Sequence, residues 1–247
     1  MKFLPLLFLA SILLVFGCSK IKKERFKAHY AKIIPSIDGN ANDTIWNMIP
    51  DWYSKHHIWE NNVGSEPDSS DFSWRYKLAW DENKFYVLAE ITDNIISDMH
   101  PTPKYNYWED DCFEVLFDED NSGGNHQSNY QAFIYHISIL YDVVDIDNEG
   151  NRVLLNDHLK VKMDTLNGTS IWEAAFSVYN KDYISTSKST PVKLYQGKIM
   201  GWAMAYCDND GSKQRDHFFG SNHIKGEDKN LTWKTADVFG EVELIKH

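Results

Sequence analysis

The sequence predicts an all-β domain: two antiparallel sheets packed face to face as a β-sandwich, in the layering shared by jelly-roll and immunoglobulin-like folds. Three observations lead there. Short segments alternate hydrophobic and polar residues with period two. Gly, Asn and Asp breaks separate these segments at close spacing. No segment sustains a helical period beyond one turn near 42–48.

Taken in order, the chain begins outside that domain. Lys2 precedes an apolar run over 3–16, too short to span a bilayer as a stable helix and typical of an export signal. The run ends in Val15-Phe16-Gly17-Cys18, which resembles a bacterial lipobox: an aliphatic residue three before the cysteine and a small one just before it. The resemblance implies that 1–17 is a lipoprotein signal peptide and Cys18 the lipidation site, with several acyl chains holding the protein at the cell envelope. Ser19, rather than Asp, after the cysteine implies the outer membrane if the cell is Gram-negative. The charged stretch 18–30 reads as a lipid-anchored tether. That leaves 31–247 as one domain.

Within the domain, Phe72, Trp74, Tyr76, Leu78 and Trp80 alternate with Ser73, Arg75, Lys77 and Ala79, the clearest half-buried strand in the chain. The turn Asp81-Glu82-Asn83-Lys84 folds it back, and Phe85, Val87, Ala89 and Ile91 continue the pattern as a hairpin. Further strands are predicted over 130–139, 141–146, 159–165, 170–178, 199–207 and 240–245. The loops 54–70 and 101–107 are long and polar, better suited to the walls of a site than to connectors.

Charge narrows the function. A formal net charge of −11 argues against nucleic acid or an anionic membrane surface, both of which need clustered cations. A neutral ligand fits better, and membrane contact is left to the lipid anchor alone. Cys112 and Cys207 each lie in a predicted strand; in an exported protein they either pair as a disulfide or stay buried thiols, and the spacing leaves both open. Two acidic turns, Asp118-Glu119-Asp120 before Ser122-Gly123-Gly124 and Asp208-Asn209-Asp210 before Gly211, gather the oxygen ligands that structural calcium requires, although neither matches the twelve-residue EF-hand loop. Solvated turn carboxylates are the alternative reading.

The stretch that carries the most chemistry is Trp108-Glu109-Asp110-Asp111-Cys112-Phe113-Glu114-Val115-Leu116-Phe117-Asp118. In a strand, Cys112, Glu114 and Leu116 share one face and Phe113, Val115 and Phe117 the other. A carboxylate held on a sheet beside an indole suits a sugar: the indole covers the C–H face of the pyranose and the carboxylate accepts from its hydroxyls.

With Ile37-Asp38-Gly39-Asn40, Leu78-Ala79-Trp80-Asp81, Gly201-Trp202-Ala203-Met204 and Phe239-Gly240-Glu241-Val242, in this order, the stretch resembles the family 9 carbohydrate-binding modules over about 33–245. The resemblance implies a poly- or oligosaccharide ligand and a non-catalytic role, in partnership with a glycoside hydrolase or glycan-uptake machinery encoded elsewhere. The family clamps a sugar between two tryptophans. Trp108 matches the first and Glu114 a carboxylate that bonds the hydroxyls. The second tryptophan is missing: alignment through Asp208 and Gln214-Arg215 puts its position near Ser221, with His217, Phe218 and Phe219 just before. Phe218 or Phe219 is therefore the expected second wall, with Arg215 and His217 beside it. A family arginine also has no counterpart, and His136 is the candidate donor in its place. The family's structural calcium adds Asp38 and Asp93 to Asp118, Asp120, Asp208 and Asp210 as metal candidates.

Two other classes compete. A glycoside hydrolase or lyase needs a second carboxylate flanking the scissile bond with Glu114, and the sequence marks none. A haem-binding domain of similar fold would use Met200 or Met204 with His136 or His217 as axial ligands.

Overall fold

The computed structural model describes residues 23–185 and 187–246. The expected signal peptide over 1–17 and the expected lipidation site Cys18 lie outside the described residues.

The strands are β1 (Arg25–Tyr30), β2 (His57–Asn61), β3 (Phe72–Trp80), β4 (Phe85–Asp93), β5 (Cys112–Asp118), β6 (Phe133–Ser138) and β7 (Val143–Ile146). They continue with β8 (Arg152–Leu154), β9 (Leu159–Leu166), β10 (Thr169–Phe176), β11 (Ile199–Asp208), β12 (His217–Gly220) and β13 (Gly240–Ile245). A single helical turn, α1 (Thr44–Met48), falls where the sequence predicts it. The strands join in one thirteen-stranded sheet of order β8-β7-β6-β5-β11-β13-β1-β3-β4-β10-β9, with β12 branching from β11 and carrying β2.

The sheet curls, so one continuous surface supplies both layers of the sandwich. Its two halves meet through aromatic rings: Phe117 of β5 lies 5.1 Å from Phe85 of β4, and Phe113 lies 5.5 Å from Trp172 of β10. This inner core takes the odd positions of β5, the even positions of β11 (Met200, Trp202, Met204, Tyr206) and the even positions of β3. The β3–β4 turn closes because the Asp81 carboxylate accepts from the Asn83 and Lys84 amides at 2.6 and 2.9 Å, an Asx turn.

Both outer faces are covered as well. Over β4 and β10, α1 and the opening turn bury Ile45 and Trp46. The Glu173 carboxylate anchors that cover, accepting from the amides of Asp38 and Gly39 and from Trp46 Nε1. Over β5 and β11, Cys112, Leu116, Ala203 and Cys207 form a second outer cluster with Trp59, Phe218 and Phe239. Glu114 shares that outer face, as alternation along β5 requires.

Two expectations are corrected. The tether ends early: from Arg25 the chain is β1, a central strand between β13 and β3, with Phe26 and Ala28 turned into the core. Its pairing is parallel on both sides, which an all-antiparallel sandwich does not anticipate. The polar side chains of Arg25, Lys27 and His29 occupy the alternate positions and mask the period. The loop 54–70 likewise contains β2, which pairs with β12.

Candidate functional site

A cavity of about 430 Å³ opens on the outer face beside β5, β6 and β12, a size typical of small-molecule sites. Of the predicted residues, Trp108, Glu114, His136, Arg215 and Phe218 line it. His217 and Phe219 do not.

Glu114 forms the floor. It is 2% exposed, and its Oε1 lies 3.2 Å from both Cys207 Sγ and His136 Nε2. His136 stands directly opposite it on β6. Burial lowers the pKa of His136, opposed by the Glu114 charge, so the imidazole is held toward its neutral form.

Trp108 is half-buried at the rim, with its Nε1 donating to Glu109 Oε1 at 2.9 Å and Tyr107 edge-on to its ring. Arg152 of β8 lies over the indole, 5.2 Å from the ring centroid. Arg215 ties the site together: it is buried, pairs with Glu60 of β2, and donates to the Trp108 carbonyl at 3.2 Å. It also covers the Phe218 ring at 4.2 Å. Despite burial, its acidic neighbours raise its pKa, so the guanidinium is a permanent charge.

The second wall differs from expectation. Phe219 is fully buried on the inner face, stacked on Phe72 with centroids 3.8 Å apart and planes 4° apart. It follows Phe218 in an extended strand, so the two rings must point to opposite faces. Trp233, 45% exposed, lines the cavity instead, from the loop between β12 and β13. The indole that follows Lys229-Asn230-Leu231-Thr232 was the signal available; only spacing argued against it. Arg152 had no such signal, because β8 is three residues long and shows no period.

The sequence also missed carboxylates. Glu60, Glu109 and Asp145 line the cavity with Glu114. Asp145 is buried and pushed up to about 8, chiefly by that burial, while accepting from the Ile134 and Ile146 amides. Each of these groups is committed to a protein partner: Glu60 to Arg215, Glu109 to Trp108 and the Arg215 amide, Asp145 to backbone. The arrangement holds a shape and a pattern of acceptors.

The haem alternative fails on geometry. Met200 and Met204 face the inner core, whereas His136 is on the outer side of β6. Residues on opposite faces of one sheet cannot ligate one iron. His217 is buried, bonded to Asp208 Oδ2 at 3.0 Å and to the Ser65 carbonyl at 2.9 Å. These two bonds raise its pKa against the effect of burial.

The metal candidates separate. Asp93 and Asp208 come together with Asp111, their carboxylate oxygens within 4.8 Å of one another. Burial raises the pKa of all three, and each is raised further by another carboxylate. Asp208 Oδ1 is buried without a hydrogen-bond partner. Asp38 is exposed and caps the Asn40 amide, and Asp210 is exposed beyond the cluster. Asp118 is buried at the far end of β5, bonded to the Gly123 amide, with Asp120 exposed beside it.

Residues 37–247 match the family model described as carbohydrate family 9 binding domain-like. The chain is 29% identical over 214 residues to endo-1,4-beta-xylanase A of Thermotoga neapolitana; the match covers 86% of this chain but spans only 17% of that enzyme. Two solved structures of a family 9 module from Caldicellulosiruptor kristjanssonii are similar in fold. The complex with cellotriose has a TM-score of 0.63 at 21% identity, covering 91% of this chain and 95% of the module. The complex with glucose has a TM-score of 0.61 at 22% identity, covering 91% and 97%.

Proposed function

Because the chain belongs to the carbohydrate family 9 binding domain-like family, we propose that it binds an oligosaccharide or polysaccharide chain, without cleaving it, in the cavity bordered by Trp108 and Trp233. The observation that carries this reading is the pairing of two accessible indoles with a floor of fixed polar groups. Glu114 Oε1 is engaged with Cys207 and His136, which leaves Oε2 to accept from sugar hydroxyls. Arg152 and Arg215 are the donors within reach of the same space, while His136 commits Nε2 to Glu114 and buries Nδ1. The relatives in complex with cellotriose and glucose favour a gluco-oligosaccharide as the first ligand to try.

Calorimetric titration with cellotriose tests the reading. Stacking contributes about 0.5–1.5 kcal/mol beyond buried area, so Trp108→Ala and Trp233→Ala are each expected to weaken binding about tenfold or more. Both should melt near wild type, since neither ring is in the core. Incubation of the bound sugar should release no reducing ends. A cleavage activity lost in Glu114→Gln would overturn the non-catalytic reading.

Asp93, Asp111 and Asp208 fit a calcium ion: they offer hard oxygen ligands, and Asp208 Oδ1 is buried without a hydrogen-bond partner. We infer a structural calcium there. Added Ca²⁺ should raise the melting temperature of chelator-treated wild type and leave Asp111→Asn unmoved; equal shifts in both would refute the site.

A further inference from the structure

Beneath the sugar cavity lies a cluster whose two thiols sugar binding does not explain. Cys112 and Cys207 are directly opposite on β5 and β11, and Glu114 and His136 are directly opposite on β5 and β6. Cys112 and Glu114 share a face, so three adjacent strands present two thiols, a carboxylate and an imidazole as one block. Cys112 and Glu114 are 2% exposed and Cys207 is 0% exposed. The two cysteines are free.

From this block we propose a second metal site, for a thiophilic divalent cation of which zinc is the plainest case, held by Cys112 Sγ, Cys207 Sγ and Glu114 Oε1. The sulfurs and the carboxylate oxygen lie within 4.8 Å of one another. Zinc bonds of about 2.0–2.3 Å place neighbouring ligands of a tetrahedron roughly 3.3–3.8 Å apart. Glu114 Oε1 is 3.2 Å from Cys207 Sγ, so that edge of the tetrahedron stands with only tenths of an ångström to yield, and His136 Nε2, 3.2 Å from the same oxygen, holds the carboxylate in place.

Charge supports the same reading. Two thiolates and a carboxylate around a divalent cation leave one net negative charge, and Arg215 Nη1 lies 3.3 Å from Cys207 Sγ, placed to donate to a metal-bound sulfur. The thiols select against calcium and magnesium, which prefer oxygen, so this site and the Asp93 cluster would take different ions. On loading, the cation replaces the two thiol protons, which leave to solvent, and no electrons are exchanged. The Glu114 carboxylate then bridges, with Oε1 on the metal and Oε2 toward the cavity.

Cobalt substitution tests this on the purified chain, reduced with a phosphine and freed of metal by chelation. One equivalent of Co²⁺ should give a thiolate-to-cobalt charge-transfer band with the intense visible bands of a tetrahedral site, and Zn²⁺ should bleach them. Cys112→Ser and Cys207→Ser should each lose the charge-transfer intensity in part and the double variant altogether, with far-ultraviolet circular dichroism confirming that each is folded. If the serine variants do not fold, Zn²⁺ titration of wild type against a chromogenic chelator still decides the matter. Trp108→Ala should lose sugar affinity and keep the cobalt spectrum, which separates this site from the carbohydrate reading. Reduced protein without the charge-transfer band and without competition for Zn²⁺, or cysteines that isolate as a disulfide resistant to reduction, would overturn the proposal.

Discussion

At the scale of single residues, legibility followed the strength of local pattern. Trp108 and Glu114 stood out because an indole preceded a strand whose parity was unambiguous. Phe219 misled because its neighbour Phe218 is identical in chemistry, and only the strand's phase tells an inner ring from an outer one. Asp145 was unreadable, since its role depends on the Ile134 and Ile146 amides that it reaches only in the folded sheet. His158 gives a residue-scale prediction of another kind. Its ring is packed 4.2 Å from Tyr179, shares a hydrogen bond at Nδ1 with Tyr135 OH, and leaves Nε2 buried without a partner. Burial pushes its pKa down to about 4, against about 6.5 in an unfolded chain. Between those values the unfolded chain takes up a proton that the fold refuses, so His158 stabilises the fold fully above the window and progressively less as pH falls through it. The loss amounts to about 3 kcal/mol by pH 4. Urea unfolding across that window should show a steeper fall in wild type than in His158→Gln; equal slopes would remove His158 as the cause.

At the scale of elements, the hairpin of β3 and β4 was readable because both strands are regular and their turn has its own side-chain lock. Strands β1 and β2 were not, because each is short, carries polar residues that break up its apolar pattern and is stabilised by partners far along the chain. The β2–β12 pair depends on a residue with no side chain. Gly220 lies under the Trp59 indole, and a Cβ added there would fall inside the ring. Gly220→Ala must therefore displace Trp59, at a cost of about 1–3 kcal/mol for overpacking. Since Glu60 follows Trp59 and holds Arg215, displacement should also weaken sugar binding. Replacing Trp59 with a smaller apolar residue in the same chain should recover part of the stability, and a double-mutant cycle measures that coupling. Strict additivity would mean that the close approach of Gly220 and Trp59 has no energetic role.

At the scale of the whole molecule, the sandwich was legible because two packed layers are the ordinary way to bury many alternating strands. That both layers come from one curled sheet was not, because curling is set by long-range strand order. The position of the cavity follows from that order: β5, β6 and β11 bring Glu114, His136 and Cys207 to one outer face, and the loops after β4 and β12 raise Trp108 and Trp233 around it. Among the described residues no helix is long and apolar enough to cross a membrane; separately, we propose that Cys18 carries a lipid anchor. Cys18→Ser should release the protein from the membrane fraction; retention through a carbonate wash would refute the anchor. The central claim is that this outer cavity binds carbohydrate, and a glycan array probed in parallel with the purified chain and with Trp108→Ala tests it most directly. The account predicts that wild type captures at least one class of glycan and that the variant, folded by its thermal melt, loses that signal. A folded variant that keeps the wild-type signal, or a wild-type chain that captures no glycan, would contradict it.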